Sequence, residues 1–268
     1  MGYKGLVMDI DGTLYNSAKR ITETTRRAVF RAREAGKVIA IASGRPIRGI
    51  ADVSRRLQLA EKGGYIMGWN SGKILNAQTG EVISETTLPE GIVSEIAALA
   101  REYDVPVVAH TAGLLLSETP EDEIIQLEAR LNYMTVDKIS SLEDYAEQPL
   151  YKCILTGSGE KLEALEKIAA QRFEGRLSVY RSEPYFLEIL PPGIDKARGV
   201  DVLARHLGLT REDFIACGDG FNDLSMIQSA GLGVAMANAQ SIVRQNADYV
   251  TESCDDDGLV SVIEKFLI

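Results

Sequence analysis

Cysteine is scarce in this chain: three residues, Cys153, Cys217 and Cys254, among 268. They stand far apart, with no CxxC pair and no His at metal-ligand spacing. That pattern excludes a disulfide framework and a thiolate zinc site, and it fits reduced thiols in a cytoplasmic protein. Basic residues are also in deficit: 29 Lys and Arg face 39 Asp and Glu, a net charge of −10 with His neutral. A field of that sign repels nucleic acid and anionic membranes, so a coating role on either is excluded. Apolar runs are short. None approaches the roughly 18 residues of a membrane span, and Met1-Gly2-Tyr3-Lys4 with its brief apolar run ending at Asp9 does not read as a secretory leader. A soluble, cytoplasmic protein is expected.

What is present is an ordinary packed composition, 45% hydrophobic and 25% charged. The length exceeds that of a typical single domain, so one large or two moderate domains are expected. Gly5–Met8 is a continuous apolar run, the pattern of a strand buried on both faces. A helix is predicted from Thr22 to Ala35, with Thr22 as N-cap and Gly36 as its stop. Val38–Ala42 is a second buried strand, Pro46 opens a second helix, and Tyr65–Met67 is a third strand. This β-α-β-α-β order predicts a parallel sheet covered by helices. Turn signals at Asn70-Ser71-Gly72 and Gln78-Thr79-Gly80 suggest a hairpin leaving that sheet. Residues from about 85 to 185 mix helical and strand patterns of their own, whereas strict α/β alternation resumes after Pro191-Pro192-Gly193. The expected fold class is α/β: a Rossmann-like parallel-sheet core (1–84 and 186–268) with an inserted α+β cap (85–185).

Two acidic clusters carry the strongest chemical signal. Asp9-Ile10-Asp11-Gly12-Thr13-Leu14 directly follows the first buried strand, and open α/β sheets place their ligands at such carboxyl ends. Two acids two residues apart divide labour readily, one attacking an electrophile and the other transferring protons. Gly218-Asp219-Gly220-Phe221-Asn222-Asp223 follows another buried strand. Asp219 and Asp223, with a carboxylate of the first cluster, make an all-oxygen donor set suited to Mg²⁺. In isolation the second cluster also fits a turn with Asp223 as N-cap. Opposite charge comes from Ser43-Gly44-Arg45-Pro46, whose hydroxyl and backbone N–H groups suit a phosphate, and from Lys196 at a helix start, where it opposes the helix dipole.

Taken in order, these segments resemble the haloacid dehalogenase-like (HAD) phosphohydrolase superfamily. Asp9–Leu14 matches its first motif, Ser43 its second, Lys196 its third and Gly218–Asp223 its fourth. The insertion between the second and third motifs resembles the type IIB cap of the Cof-like sugar-phosphatase group, and Gly233–Ala239 and Asp257-Gly258-Leu259 resemble that group's C-terminal signatures. Two departures stand out: Asp195 and Ala197 flank the third-motif lysine, and the usual Asn-Gly turn is Asn70-Ser71-Gly72. The resemblance implies that Asp9 attacks the phosphorus of a monoester to form an aspartyl-phosphate. It further implies that Asp11 protonates the leaving alcohol and then activates water. Mg²⁺ would be held by Asp9, the main-chain carbonyl of Asp11 and Asp219, with Asp223 in support. Ser43, Gly44, Lys196 and Asn222 would bind the phosphoryl oxygens.

Candidate substrate contacts are less determined by the sequence. Arg45 fits either a substrate contact or a pair with a core acid, and His110 either projects toward a leaving group or is an exposed turn residue. Glu183 near the cap exit has the same standing, and Asp255-Asp256-Asp257 reads as a solvated acidic loop. The expected function is Mg²⁺-dependent hydrolysis of small phosphorylated metabolites, sugar phosphates first, by a monomer or homodimer. The alternatives are a phosphomutase of the same superfamily and a non-catalytic phosphometabolite-binding regulator. The latter would be expected to lack Asp9, Asp11 or Lys196, and all three are present.

Overall fold

The computed structural model describes residues 2–268, which divide into two compact units. Of these, the first comprises the described residues up to 44, 50–85 and 195–268; the second comprises 45–49 and 86–194.

The first unit is built on an eight-stranded sheet. Its strands are β1 (Gly5–Met8), β2 (Val38–Ala42), β3 (Tyr65–Gly68), β4 (Lys73–Asn76), β5 (Val82–Glu85), β12 (Phe214–Gly218), β13 (Leu232–Ala235) and β14 (Tyr249–Val250). They lie in the order β14-β13-β12-β1-β2-β3-β4-β5, and the six from β14 to β3 are parallel. The fold is therefore α/β with a parallel-sheet core. The chain winds outward from β1 in one direction through β2 and β3, and in the other through β12 to β14. The reversal falls between β1 and β12, the position at whose carboxyl ends open α/β sheets place their ligands. The predicted hairpin does not leave the sheet. β4 continues it antiparallel to β3, and β5 antiparallel to β4, because the edge of β3 offers free backbone groups that a returning strand satisfies.

Helix ends follow local chemistry. The helix Glu23–Glu34 starts at Thr22, whose side chain accepts from the Thr25 N–H at 3.0 Å. Gly36, at φ +78°, closes it. Asp257 reaches the same cap: its Oδ1 accepts from Thr25 Oγ1 at 2.9 Å and from Thr22 Oγ1. The acidic run is thus not simply a solvated loop, since one of its carboxylates ties the C-terminal segment to the first helix.

The second unit has a six-stranded sheet in the order β10-β11-β9-β6-β7-β8. Its strands are β6 (Val107–His110), β7 (Leu115–Ser117), β8 (Val136–Lys138), β9 (Lys152–Thr156), β10 (Ser178–Glu183) and β11 (Phe186–Leu190). Alternate residues divide between two apolar clusters. Val107, Ala109, Cys153 and Leu155 pack with the helices Ile92–Glu102 and Gly159–Arg172, while Val108 and Ile154 pack with Ile125 and Ala129 of the helix Glu123–Asn132. The boundary expected at 185/186 is displaced. Phe186–Leu190 is a buried strand paired on both sides, with β9 and β10, so the return to the first unit falls at Ile194/Asp195. Among the described residues no helix is long and apolar enough to cross a membrane, and all three cysteines are free.

Candidate active site

Asp9 is the first residue past β1, Ser43 the first past β2 and Asp219 the first past β12. Parallel pairing aligns Met8 with Ile41 and with Cys217, so all three emerge on the same edge of the sheet. The Asp9 N–H donates to the Cys217 carbonyl at 3.0 Å, extending the ladder by one residue. The chain then turns back on itself: Leu14 N–H reaches the Asp9 carbonyl and Tyr15 N–H the Ile10 carbonyl. Gly12 makes the turn at φ +79°, and Thr13 Oγ1 donates to Asp219 Oδ1 at 3.0 Å.

Lys196 opens the helix Lys196–His206, capped by Asp195, whose carboxylate accepts from the Arg198 N–H at 2.8 Å. Its side chain is 0% exposed, and its Nζ lies 2.5 Å from both Asp9 Oδ1 and Asp223 Oδ1. Asp223 does not cap the following helix by its side chain. Its Oδ2 instead accepts from the Asp219 and Gly220 N–H groups at 2.9 and 2.8 Å, which folds the acidic loop around that carboxylate.

Asp9, Asp219 and Asp223 each offer a carboxylate oxygen within 4.8 Å of the others. Three carboxyl groups thus gather about one buried ammonium. Burial, opposed by Lys196 and reinforced by Asp223 and Asp219, pushes the Asp9 carboxyl up to about 8. Burial and the Asp223 charge push Asp219 up to about 6. Lys196 is held above its ordinary value against burial by Asp223 and Asp9. A cluster of hard oxygen donors with surplus negative charge fits a divalent cation. The Asp11 carboxylate accepts from Lys19 Nζ at 2.8 Å, and its charge adds to the rise of Asp219.

Ser43 is buried, its N–H bonded to the Met67 carbonyl and its carbonyl accepting from the Asn70 N–H, both at 2.9 Å. Asn222 donates from Nδ2 to Asn70 Oδ1 at 3.1 Å. Gly44 abuts the same Asn70 amide, at 3.4 Å from where its Cβ would stand. The first unit thus brings together Asp9, Lys196, Asp219 and Asp223, with Ser43, Gly44 and Asn222 joined through Asn70. The sequence assigns no role to Asn70 or Thr13. Thr13 lies within the first motif, and Asn70 in the turn that departs from the family pattern.

The proposed substrate contacts fall in the second unit, where the expectations need correction. His110 is 0% exposed and ends a strand, so it is not an exposed turn residue. It ends β6 opposite Lys152, and its Nε2 lies 3.2 Å from Glu128 Oε1. Burial and the Lys152 charge lower its pKa. Lys152 in turn sits 2.8 Å from Glu188 Oε2, and Ser182 donates to Glu188. Alternation along β6 and β9 puts His110 and Lys152 on the face that the helix Glu123–Asn132 shares. Arg45 donates to the Leu131 carbonyl at 2.8 Å, and its charge helps to hold the buried Glu128 carboxyl low. Glu183 is exposed at the β10–β11 hairpin.

The family of haloacid dehalogenase-like hydrolases matches residues 6–263. A solved haloacid dehalogenase-like hydrolase from Bacteroides thetaiotaomicron is 41% identical, superposes with a TM-score of 0.90, and is covered to 99% by 98% of this chain. A solved HAD subclass IIB sugar phosphatase is 26% identical with a TM-score of 0.80, over 97% of this chain and 98% of its own. The 5-amino-6-(5-phospho-D-ribitylamino)uracil phosphatase YcsE of Bacillus subtilis (strain 168) is 26% identical over 99% of this chain and 96% of its own length. The chain belongs to the haloacid dehalogenase-like hydrolase family, in the Cof-like group of its phosphatases.

Proposed function

We propose that the protein hydrolyses phosphate monoesters of small metabolites, sugar phosphates first, through an aspartyl-phosphate on Asp9, with Mg²⁺ as cofactor. The observation that carries this reading is the Lys196 ammonium held 2.5 Å from Asp9 and from Asp223 at the β1/β12 reversal. A buried cation beside a buried carboxylate attracts a phosphate dianion toward an anionic nucleophile that would otherwise repel it.

An Asp9 carboxylate oxygen forms the new bond to phosphorus while the ester P–O bond breaks. Asp11 gives its proton to the departing alkoxide, so the alcohol leaves neutral. Asp11, now a carboxylate, takes a proton from water as that water attacks phosphorus, and Asp9 is released with inorganic phosphate. Lys196, the Ser43 hydroxyl, the Gly44 N–H and the Asn222 amide hold the phosphoryl oxygens through both steps. Asp9, Asp219, the Asp11 main-chain carbonyl and the supporting Asp223 are the groups that would hold Mg²⁺, which when bound neutralises phosphoryl charge. The subclass IIB sugar phosphatase among the solved relatives supports sugar phosphates as the first class to test.

The test is phosphate release from a panel of sugar phosphates, nucleotides and phosphorylated vitamins, with and without Mg²⁺, by the parent and Asp9→Asn. Turnover by Asp9→Asn at the parental rate would overturn the mechanism.

A further inference from the structure

Between β3 and β4 the backbone does something costly. Trp69, Asn70 and Ser71 follow one another at φ +49°, +53° and +77°, in the left-handed region that side-chain-bearing residues avoid. All three are buried, at 1%, 4% and 0% exposure. A hairpin connection of four residues is easily made with glycine, yet the only glycine in it, Gly72, is in ordinary right-handed conformation at φ −59°. Such conformations persist only where the surroundings over-determine them.

The surroundings are the segments that carry the phosphate-binding groups. The Asn70 N–H holds the Ser43 carbonyl at 2.9 Å. The Asn70 Oδ1 accepts from Asn222 Nδ2 at 3.1 Å. Ser71 lies against Gly199, one turn along the helix that Lys196 opens, so closely that a Cβ on Gly199 would stand 2.0 Å from Ser71 Oγ. One strained tripeptide therefore touches the loop after β2, the loop after β12 and the helix of the buried lysine. These segments lie far apart in sequence, and no other contact among those described above joins all three.

We infer that Asn70 is a positioning residue for phosphate: it fixes the Asn222 amide relative to Ser43, so that the two act on one phosphoryl group. The inference rests on the proposed phosphatase reading for the roles of Ser43 and Asn222. The left-handed backbone turns Asn70 so that its main chain serves one loop and its side chain the other. Asn222 occupies a half-buried position on a short loop, and its amide has rotational freedom that the Asn70 bond removes.

The experiment measures competitive inhibition by inorganic phosphate, with p-nitrophenyl phosphate as reporter, for the parent, Asn70→Gly, Asn222→Ala and the double variant. Glycine accepts the φ of +53°, so Asn70→Gly loses the amide without backbone strain, and its melting temperature is measured alongside. The expected result is phosphate inhibition weakened about tenfold in Asn70→Gly, the scale of one lost hydrogen bond. KM should rise with it more than kcat falls, and the double variant should be no weaker than Asn222→Ala. Unchanged inhibition in Asn70→Gly, or losses that add in the double variant, would overturn the inference. Asp9→Asn separates the two levels: if it keeps turnover the phosphatase mechanism fails, whereas if it is inactive and Asn70→Gly binds phosphate normally, only the role of Asn70 fails.

Discussion

Gly12 and Asp219 meet with no room between them: a Cβ on Gly12 would stand 2.3 Å from Asp219 Oδ2. The turn after β1 and the acidic loop after β12 are thus packed at contact through a position that needs both no side chain and a φ of +79°. Gly12→Ala should displace Asp219 and strain the turn together. The expected outcome is a fall in kcat/KM of about 100-fold or more, the scale of a misplaced catalytic group, with a raised Mg²⁺ requirement. Steady-state kinetics across a Mg²⁺ titration check it, and a parental profile would show that the loop relaxes freely.

Lys196 has two anionic partners and no exposure. Lys196→Met leaves both carboxylates buried without their cation, which costs about 3 kcal/mol. A lower melting temperature and loss of turnover are expected together. Lys196→Arg should not restore activity, because a planar guanidinium cannot occupy the position of an ammonium 2.5 Å from two carboxylates. Calorimetry and phosphate release on both variants test this.

Mg²⁺ should stabilise the folded protein, because the three-carboxylate cluster exists only in the native state. At 100 times the dissociation constant the gain is about 2.7 kcal/mol. Asp219→Asn should shift the Mg²⁺ dependence of the melting temperature to higher concentration. A melting temperature independent of Mg²⁺ in the parent would contradict the cofactor assignment.

Lys19 is exposed and bonds Asp11 Oδ1 at 2.8 Å. Exposed pairs of this kind add little to stability, so Lys19→Ala should fold as the parent does. If the pair holds Asp11 for proton transfer, the loss of rate should be several-fold larger for a sugar phosphate than for p-nitrophenyl phosphate, whose leaving group needs no proton. Lys19→Arg should restore the ratio. Equal losses on both substrates would assign Lys19 no part in proton transfer.

Glu128 provides a pH signature in the second unit. Burial alone would raise its carboxyl, but Lys152 and His110 outweigh burial and bring it down to about 2 from 4.5. A folded value below the unfolded one means that the contribution is complete above about pH 4.5 and fades as pH falls toward 2. Glu128→Gln should therefore lower the melting temperature at pH 7, with the gap to the parent narrowing by pH 3. A gap that is constant across that range would mean that the ion pairs contribute nothing and packing everything.

Much of the candidate site was legible in the sequence because it is local. An apolar run followed by Asp9 defines a strand and the residue at its carboxyl end, and the same holds for Phe214–Gly218 and Asp219. Lys196 was legible from a mismatch, a cation at a helix start. The exposed-turn alternative for His110 fails because alternation along a short strand tells which residues share a face, not whether another element covers it. Phe186–Leu190 was assigned to the wrong unit for a related reason: a buried strand carries no mark of the sheet it joins. Asn70 was passed over because a turn dipeptide looks the same whether it faces solvent or, as here, the loops after β2 and β12.

By itself the sequence determined which chemical groups stand at strand ends and helix starts, since backbone periodicity and turn chemistry act over a few residues. Only the tertiary structure decided which of them meet. Lys196 reaches Asp9 across 187 positions and Asp223 across 27, and no local rule fixes such distances. Strand order places β12 beside β1, and the burial that follows makes one ammonium and three carboxylates interact strongly enough to shift one another's charge.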